Sequence, residues 1–309
     1  MRRTSRTSSI REIKRMRIGP LLALWTLLLS ATVATAKPPV PMLWKLSDAD
    51  SSVYLLGSFH MLKAQDYPLD TSVEAAYADA GVVVFELPPE AMQDSDVQGK
   101  FLKAAQFSDG RTLRGVLPDE VEQKLAAFMG GEAAVAGSDT LQPWYLALNM
   151  SVMMVVQAGF DPNLGLDMHF MQRAQADDKP TRGLETIDDQ LAALAGAPMD
   201  EQIYALEEAL KPAAEMREKF DTLYQAWRAG DATAVEQEMV REMNEHTPVS
   251  ARLLADERNQ KWMPQVQTML ATDQNHLVIV GALHLLGDSG LVSLLQKQGL
   301  AVERVQAID

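Results

Sequence analysis

The sequence predicts an α/β fold, a mostly parallel central sheet flanked by helices, and three observations carry that reading. Residues 82–86 and 276–280 are short runs dominated by Val, Ile, Leu and Phe, the composition of strands buried on both faces of a parallel sheet. Longer segments of helical period separate the strand candidates, as crossovers between parallel strands require. Residues 53–62 align without gaps with residues 277–286, each an apolar strand followed by Gly, two residues and His. The chain therefore reads as two pseudo-repeated halves, each ending a strand in a GxxH motif, with a helical insertion through the middle.

The elements follow in order. After a Pro-rich leader at 37–41, residues 42–45 and 52–56 read as two strands joined by a turn over Asp48, Ala49, Asp50 and Ser51. Residues 71–80 have helical character and end at Gly81, and the strand 82–86 is stopped by Pro88 and Pro89. Residues 91–107 read as helix up to the breaker Ser108-Asp109-Gly110, and Asp119 is placed to cap a helix over 120–129. Residues 142–158, with Trp144, Leu146, Leu148, Met150, Met153, Met154 and Val155, predict a buried core helix. A helix over 164–176 and a strand over 179–184 come next, then amphipathic helices over 200–228, 231–245 and 250–272. The strand 276–280, a helix over 290–298 and a closing strand over 301–305 complete one α/β domain spanning 37–309.

Residues 1–17 carry seven Arg and Lys against one Glu, an apolar run covers 18–29, and Ala34-Thr35-Ala36 supplies small residues. This is the pattern of a secretory signal cut after Ala36, which predicts a periplasmic or secreted protein with no stable membrane span once the signal is removed. Without that segment 21 Lys and Arg remain against 41 Asp and Glu. So acidic a chain lacks the basic surface that nucleic acid requires, and a peptide or small-molecule substrate is the expected partner. There is no Cys, which excludes thiolate nucleophiles, thiolate zinc sites and disulfides. The 17 Met sit at core spacings and read as packing rather than as a copper site.

The chemistry concentrates on three strand ends. Gly57 and Gly281 let the backbone turn or approach a ligand, and His60 and His284, three residues on, are presented in the crevice at the carboxyl edge. Glu86 closes a four-residue apolar run and reaches the same edge if the strands are parallel. Two imidazoles and a carboxylate form an N,N,O set that binds a divalent metal and leaves positions open for water and substrate. Glu86 could serve instead as general base. Arg258 could stabilise an oxyanion or pair with neighbouring acids, and Asp167 and Glu185 could orient a ligand His or cap local structure. His169, His246 and His276 read as structural or surface residues. No phosphate-binding glycine loop and no HExxH motif is present, and Ser58 is a weak nucleophile candidate because the second motif has Ala282 in its place.

With its paired GxxH motifs and the acidic residue after an apolar strand, the chain resembles the TraB/GumN family, whose relatives include the Tiki proteases. The resemblance extends over nearly all of 37–309 and includes Gly165-Leu166-Asp167, Gly183-Leu184-Glu185-Thr186 with Gln190 soon after, and Glu257-Arg258-Asn259. It implies an α/β fold of two related halves and a metal-dependent, peptidase-like hydrolase using a divalent ion, Mn, Co or Zn. In that scheme His60, Glu86 and His284 hold the metal, Glu86 and Arg258 act in catalysis, and Gly57, Gly281, Asp167, Glu185 and Asn259 support the site or the substrate. The alternative is a non-catalytic protein that binds haem or another small ligand in the same His-lined crevice.

Overall fold

Leu43–Ser47 (β1), Ser52–Ser58 (β2), Val82–Phe85 (β3), Thr181–Gly183 (β4), His276–Gly281 (β5) and Val302–Arg304 (β6) form one sheet in the order β4-β3-β5-β2-β1-β6. The computed structural model describes residues 37–307 apart from 94 and 95; the expected signal segment and its cleavage point lie outside them. Strands β4, β3, β5 and β2 pair in parallel, whereas β1 runs antiparallel to β2 and to β6, so the sheet is mixed and mostly parallel. The hairpin between β1 and β2 is held by Asp48, whose carboxylate accepts from the Ser51 backbone N–H at 2.9 Å.

Every residue of β2, β3 and β5 is buried, which accounts for their unbroken apolar composition. Strand β5, followed in the chain only by β6, lies between β2 and β3, so the two GxxH strands are neighbours although more than 200 residues separate them. Helices fill the intervals between β3 and β4 and between β4 and β5, forming the insertion that the sequence predicts. From Pro38 on, the chain forms one unit in space.

Four local expectations are corrected. Asp119 does not cap its helix; Pro118 is the cap and Asp119 the first residue of Asp119–Met129, where its charge still favours the helix N-terminus. The segment 200–228 is two helices, Met199–Ala209 and Ala213–Arg228, because Pro212 disfavours helical backbone at the residue before it. The segment 231–245 contains a π-helical turn at Glu236–Arg241, and a second, Arg252–Asp256, precedes the helix Glu257–Leu270. Finally, Pro143–Gln157 is not buried all round: Trp144, Ala147, Met150 and Val155 face the core, but Leu148, Val152, Met153 and Val156 are exposed. Among the described residues no helix is long and apolar enough to cross a membrane.

Candidate functional site

The two GxxH motifs present their histidines differently. In the parallel register Gly57 pairs with Val280 and Ser58 with Gly281. Beyond β2 the chain is irregular, and the Trp227 indole N–H donates to the Gly57 carbonyl at 2.9 Å. Phe59 packs against Phe220, Tyr224 and Trp227, with ring centroids 5.4, 6.1 and 5.6 Å away. With Phe59 anchored inward, His60 turns outward and its side chain is 61% exposed.

Asp167 meets His60 from the first turn of the helix Leu166–Ala176. Its Oδ1 lies 3.1 Å from His60 Nδ1 and accepts the Ser58 hydroxyl at 2.9 Å. The approach depends on Gly165: a Cβ there would stand 2.2 Å from the His60 carbonyl oxygen, which is fixed backbone. The Leu166 N–H donates to the Phe59 carbonyl at 3.1 Å and completes the junction.

After β5, the short 3₁₀ turn Ala282–Leu285 carries His284 inward instead, leaving 4% of its side chain exposed. Residues 258, 259 and 262 of the helix Glu257–Leu270 surround it. Asn259 donates to the Ser289 carbonyl through Nδ2 at 2.9 Å, so its oxygen faces the imidazole and accepts from His284 Nδ1 at 2.8 Å. That leaves His284 Nε2 as an acceptor, and Arg258 Nη1 donates to it at 3.0 Å. The Trp262 ring closes the pocket 4.5 Å from the imidazole.

Glu86 stands immediately beyond β3 and Glu185 two residues beyond β4, at the same edge. Glu86 Oε1 accepts the Gly281 backbone N–H at 2.7 Å, and its Oε2 accepts Arg258 Nη2 at 2.7 Å and Gln190 Nε2 at 3.2 Å. Glu185 takes Arg258 Nε at 3.0 Å and Nη2 at 2.7 Å, while Arg258 Nη1 also reaches the Leu254 carbonyl at 2.8 Å. All five guanidinium N–H groups are thus directed at protein acceptors, which is how a largely buried cation is made tolerable.

The electrostatics follow from these contacts. The Asp167 carboxylate beside it holds His60 protonated up to about 9. Burial pushes His284 down to about 3, with Arg258 adding to it, so this imidazole is neutral at ordinary pH. Burial alone would raise Glu86, but the imidazole of His284, the Arg258 guanidinium, His60 and the Gly281 N–H outweigh it and hold the carboxyl at about 2. Glu185 is raised, mainly by burial, and its bonds to Arg258 oppose the shift.

The three predicted ligands face one small space over Gly281. A Cβ on that glycine would lie 3.2 Å from His60 Nε2, 3.3 Å from Glu86 Oε1 and 3.7 Å from the His284 ring. The cleft in front is lined by Ser58, His60, Glu86, Asp167 and Gln190 together with the apolar Phe85, Leu87, Met171, Ile279 and Val280. As arranged, no three His, Asp or Glu side chains among the described residues gather their donor atoms at ion-binding distance. The donor chemistry nevertheless fits a divalent ion, because Glu86 Oε1 and His60 Nε2 border a space that only Gly leaves free and His284 Nε2 lies 3.7 Å from that same carboxylate oxygen. Ligation through His284 Nε2 requires Arg258 Nη1 to give up that lone pair.

All nine residues singled out in the sequence lie at this edge: Gly57, His60, Glu86, Asp167, Glu185, Arg258, Asn259, Gly281 and His284. Sequence reasoning missed the supporting roles of Trp227, Trp262 and Ser58. For Trp262 a signal was present, since it lies four residues after Arg258 and therefore on the same helix face. The sequence profile of the TraB/PrgY/gumN family matches residues 42–304. Among individual proteins, the chain is similar to the uncharacterized protein YbaP of Escherichia coli (strain K12), 23% identical over 248 residues that cover 79% of this chain and 87% of YbaP. YbaP of Shigella flexneri matches with the same identity and coverage.

Proposed function

The chain belongs to the TraB/PrgY/gumN family, and from that premise we propose that it is a metal-dependent hydrolase of the periplasm or the secreted fraction, acting on an amide or ester bond of a peptide or small molecule. The observation that carries this reading is the meeting of His60 Nε2, Glu86 Oε1 and His284 over Gly281, at the carboxyl edge of adjacent parallel strands. These three side chains would hold the ion. A Mn, Co or Zn ion bound there supplies Lewis-acid polarisation of a carbonyl and a more acidic water.

The protein's own groups prepare the site. Asp167 accepts Nδ1–H of His60 and Asn259 accepts Nδ1–H of His284, which makes Nε2 the ligating nitrogen of each ring once His60 gives up its proton and Arg258 releases His284. Gln190 and the Gly281 N–H fix the two oxygens of Glu86. An N–H of Arg258 released from His284 is then available to a developing oxyanion. The pseudo-repeat has a physical sense in this scheme, since each copy delivers one imidazole to the same space. Haem binding finds less support, because the small cleft, about 250 Å³, carries Ser58, His60, Glu86, Asp167 and Gln190 beside the apolar Phe85, Leu87, Met171, Ile279 and Val280.

The test is direct. Chelator-stripped protein supplied with Mn, Co or Zn should retain the ion in elemental analysis, and a fluorogenic peptide mixture should be hydrolysed by the loaded protein. His60→Ala and His284→Ala should each lower both signals. Absence of ion uptake by the wild-type protein would overturn the reading.

A further inference from the structure

Gln190 follows the capping pair Thr186 and Asp189 at the start of the helix Ile187–Ala195, and its side chain lines the cleft. Its Nε2 donates to Glu86 Oε2 at 3.2 Å, and the same amide faces Glu185, whose carboxyl it helps to hold down against burial. Carboxylates only accept, so the NH2 end of the amide must point at them and the carbonyl end away. Oε1 accepts no hydrogen bond from any of the described residues. The other polar groups of the cleft are committed: Ser58 is buried and donates to Asp167, Asp167 and His60 pair with each other, and both oxygens of Glu86 are taken. Gln190 thus offers an uncharged acceptor of fixed orientation.

We propose that Gln190 is a substrate-binding residue whose Oε1 accepts a backbone N–H beside the scissile bond, which makes the substrate a peptide rather than an ester. This rests on the reading of the cleft as the substrate site of a hydrolase. A neutral amide oxygen matches a neutral amide N–H, whereas an ammonium group would be drawn to the Asp167 carboxylate instead. An ester in the same place sets an oxygen lone pair against Oε1 and loses the hydrogen bond. The cleft measures about 250 Å³, and the rest of its lining, Phe85, Leu87, Met171, Ile279 and Val280, is apolar. The residue that binds there therefore carries an aliphatic side chain.

Changing the ligand one atom at a time tests this contact without relying on turnover. N-acetyl-Ala-Leu-Ala-amide and two analogues, in which an ester oxygen replaces the Leu N–H or the following Ala N–H, are titrated into chelator-stripped protein and binding is read from amide NMR shifts. One of the two analogues should bind the wild-type protein about threefold to tenfold more weakly than the peptide, the scale of one neutral hydrogen bond. In Gln190→Met the peptide should weaken by a similar factor and the three ligands should no longer be distinguished, a coupling that only a direct contact produces. If Gln190 merely steadies Glu86, Gln190→Met weakens all three ligands alike and keeps their order, which overturns the proposal. Equal binding of the three ligands to the wild-type protein, or no binding of any, overturns it as well. Discrimination by Gln190 in a protein that takes up no ion would leave this contact standing and retract the hydrolase reading, so the two fail separately.

Discussion

Arg258 donates through Nη1 to Nε2 of His284 across 3.0 Å, so the free lone pair of a buried, neutral imidazole is held by a guanidinium. The same guanidinium joins Glu86 to Glu185, and one residue thereby couples the ends of β3, β4 and β5. Structural and chemical roles of Arg258 are therefore inseparable in the metal-free protein.

Removing Arg258 should be costly. Arg258→Ala leaves two buried carboxylates without their cation, and breaking such a pair typically costs about 3–5 kcal/mol. Arg258→Lys keeps a charge but cannot reach Glu86, Glu185 and His284 at once, so an intermediate loss is expected. Urea denaturation of the two variants measures this. A loss in Arg258→Ala below about 1 kcal/mol, the scale of an exposed pair, would contradict the clamp.

The buried imidazole sets an acid limit on stability. In the unfolded chain His284 takes up a proton near 6.5, whereas the native state resists protonation down to about 3. The unfolded state binds more protons in that window, so stability is fully present above pH 6.5 and falls as the pH drops toward 3, with a limiting slope of about 1.4 kcal/mol per pH unit for one proton. Glu86, depressed to about 2, acts in the same sense below its ordinary range. Unfolding curves of chelator-treated protein should show this decline, and His284→Gln should flatten it above pH 4.5. An unchanged slope in the variant would assign the decline to other groups.

The three strand ends and their His, His and Glu residues are legible in the sequence because buried parallel strands leave a composition signal and the GxxH motif occurs twice. What the sequence does not display is the inequality of the two motifs. His60 is exposed and His284 buried because Phe59 is captured by an aromatic cluster from the helix Ala213–Arg228, whereas the turn after Gly281 runs beneath the helix Glu257–Leu270. Such tertiary neighbours are distant in sequence. The exposed face of Pro143–Gln157 escaped for a related reason: a helix apolar all round carries the composition of a core helix whichever side is covered.

Glycine substitutions should separate fold from site. Gly165→Ala forces a Cβ to within 2.2 Å of the His60 carbonyl, which can be relieved only by moving the loop or the helix that brings Asp167. It should destabilise the protein by about 1–3 kcal/mol, as overpacked positions do. Gly281→Ala meets only side-chain atoms, at 3.2 and 3.3 Å, and fills the space between the proposed ligands. It should lower ion retention with little change in melting temperature. Calorimetry and elemental analysis on both variants decide the matter, and equal behaviour of the two would argue against a ligand space over Gly281.

Metal binding should be linked to pH from the alkaline side. Asp167 keeps His60 protonated up to about 9 in the metal-free protein, so an ion must displace that proton and its affinity should still be rising between pH 8 and pH 9. His284 is already neutral there, and the obstacle on its side is the Arg258 hydrogen bond rather than a proton. Ligands from three separate strand ends come together only in the folded chain, so the ion stabilises the fold by mass action. Thermal melts with and without Mn at pH 5, 8 and 9 should show a metal-induced rise that is largest at pH 9, smaller at pH 8 and lost at pH 5. The rise should vanish in the His60→Ala, His284→Ala double variant. A rise of equal size in the double variant would place the ion on the acidic surface instead, and a rise that does not grow with pH would mean that His60 gives up no proton on binding.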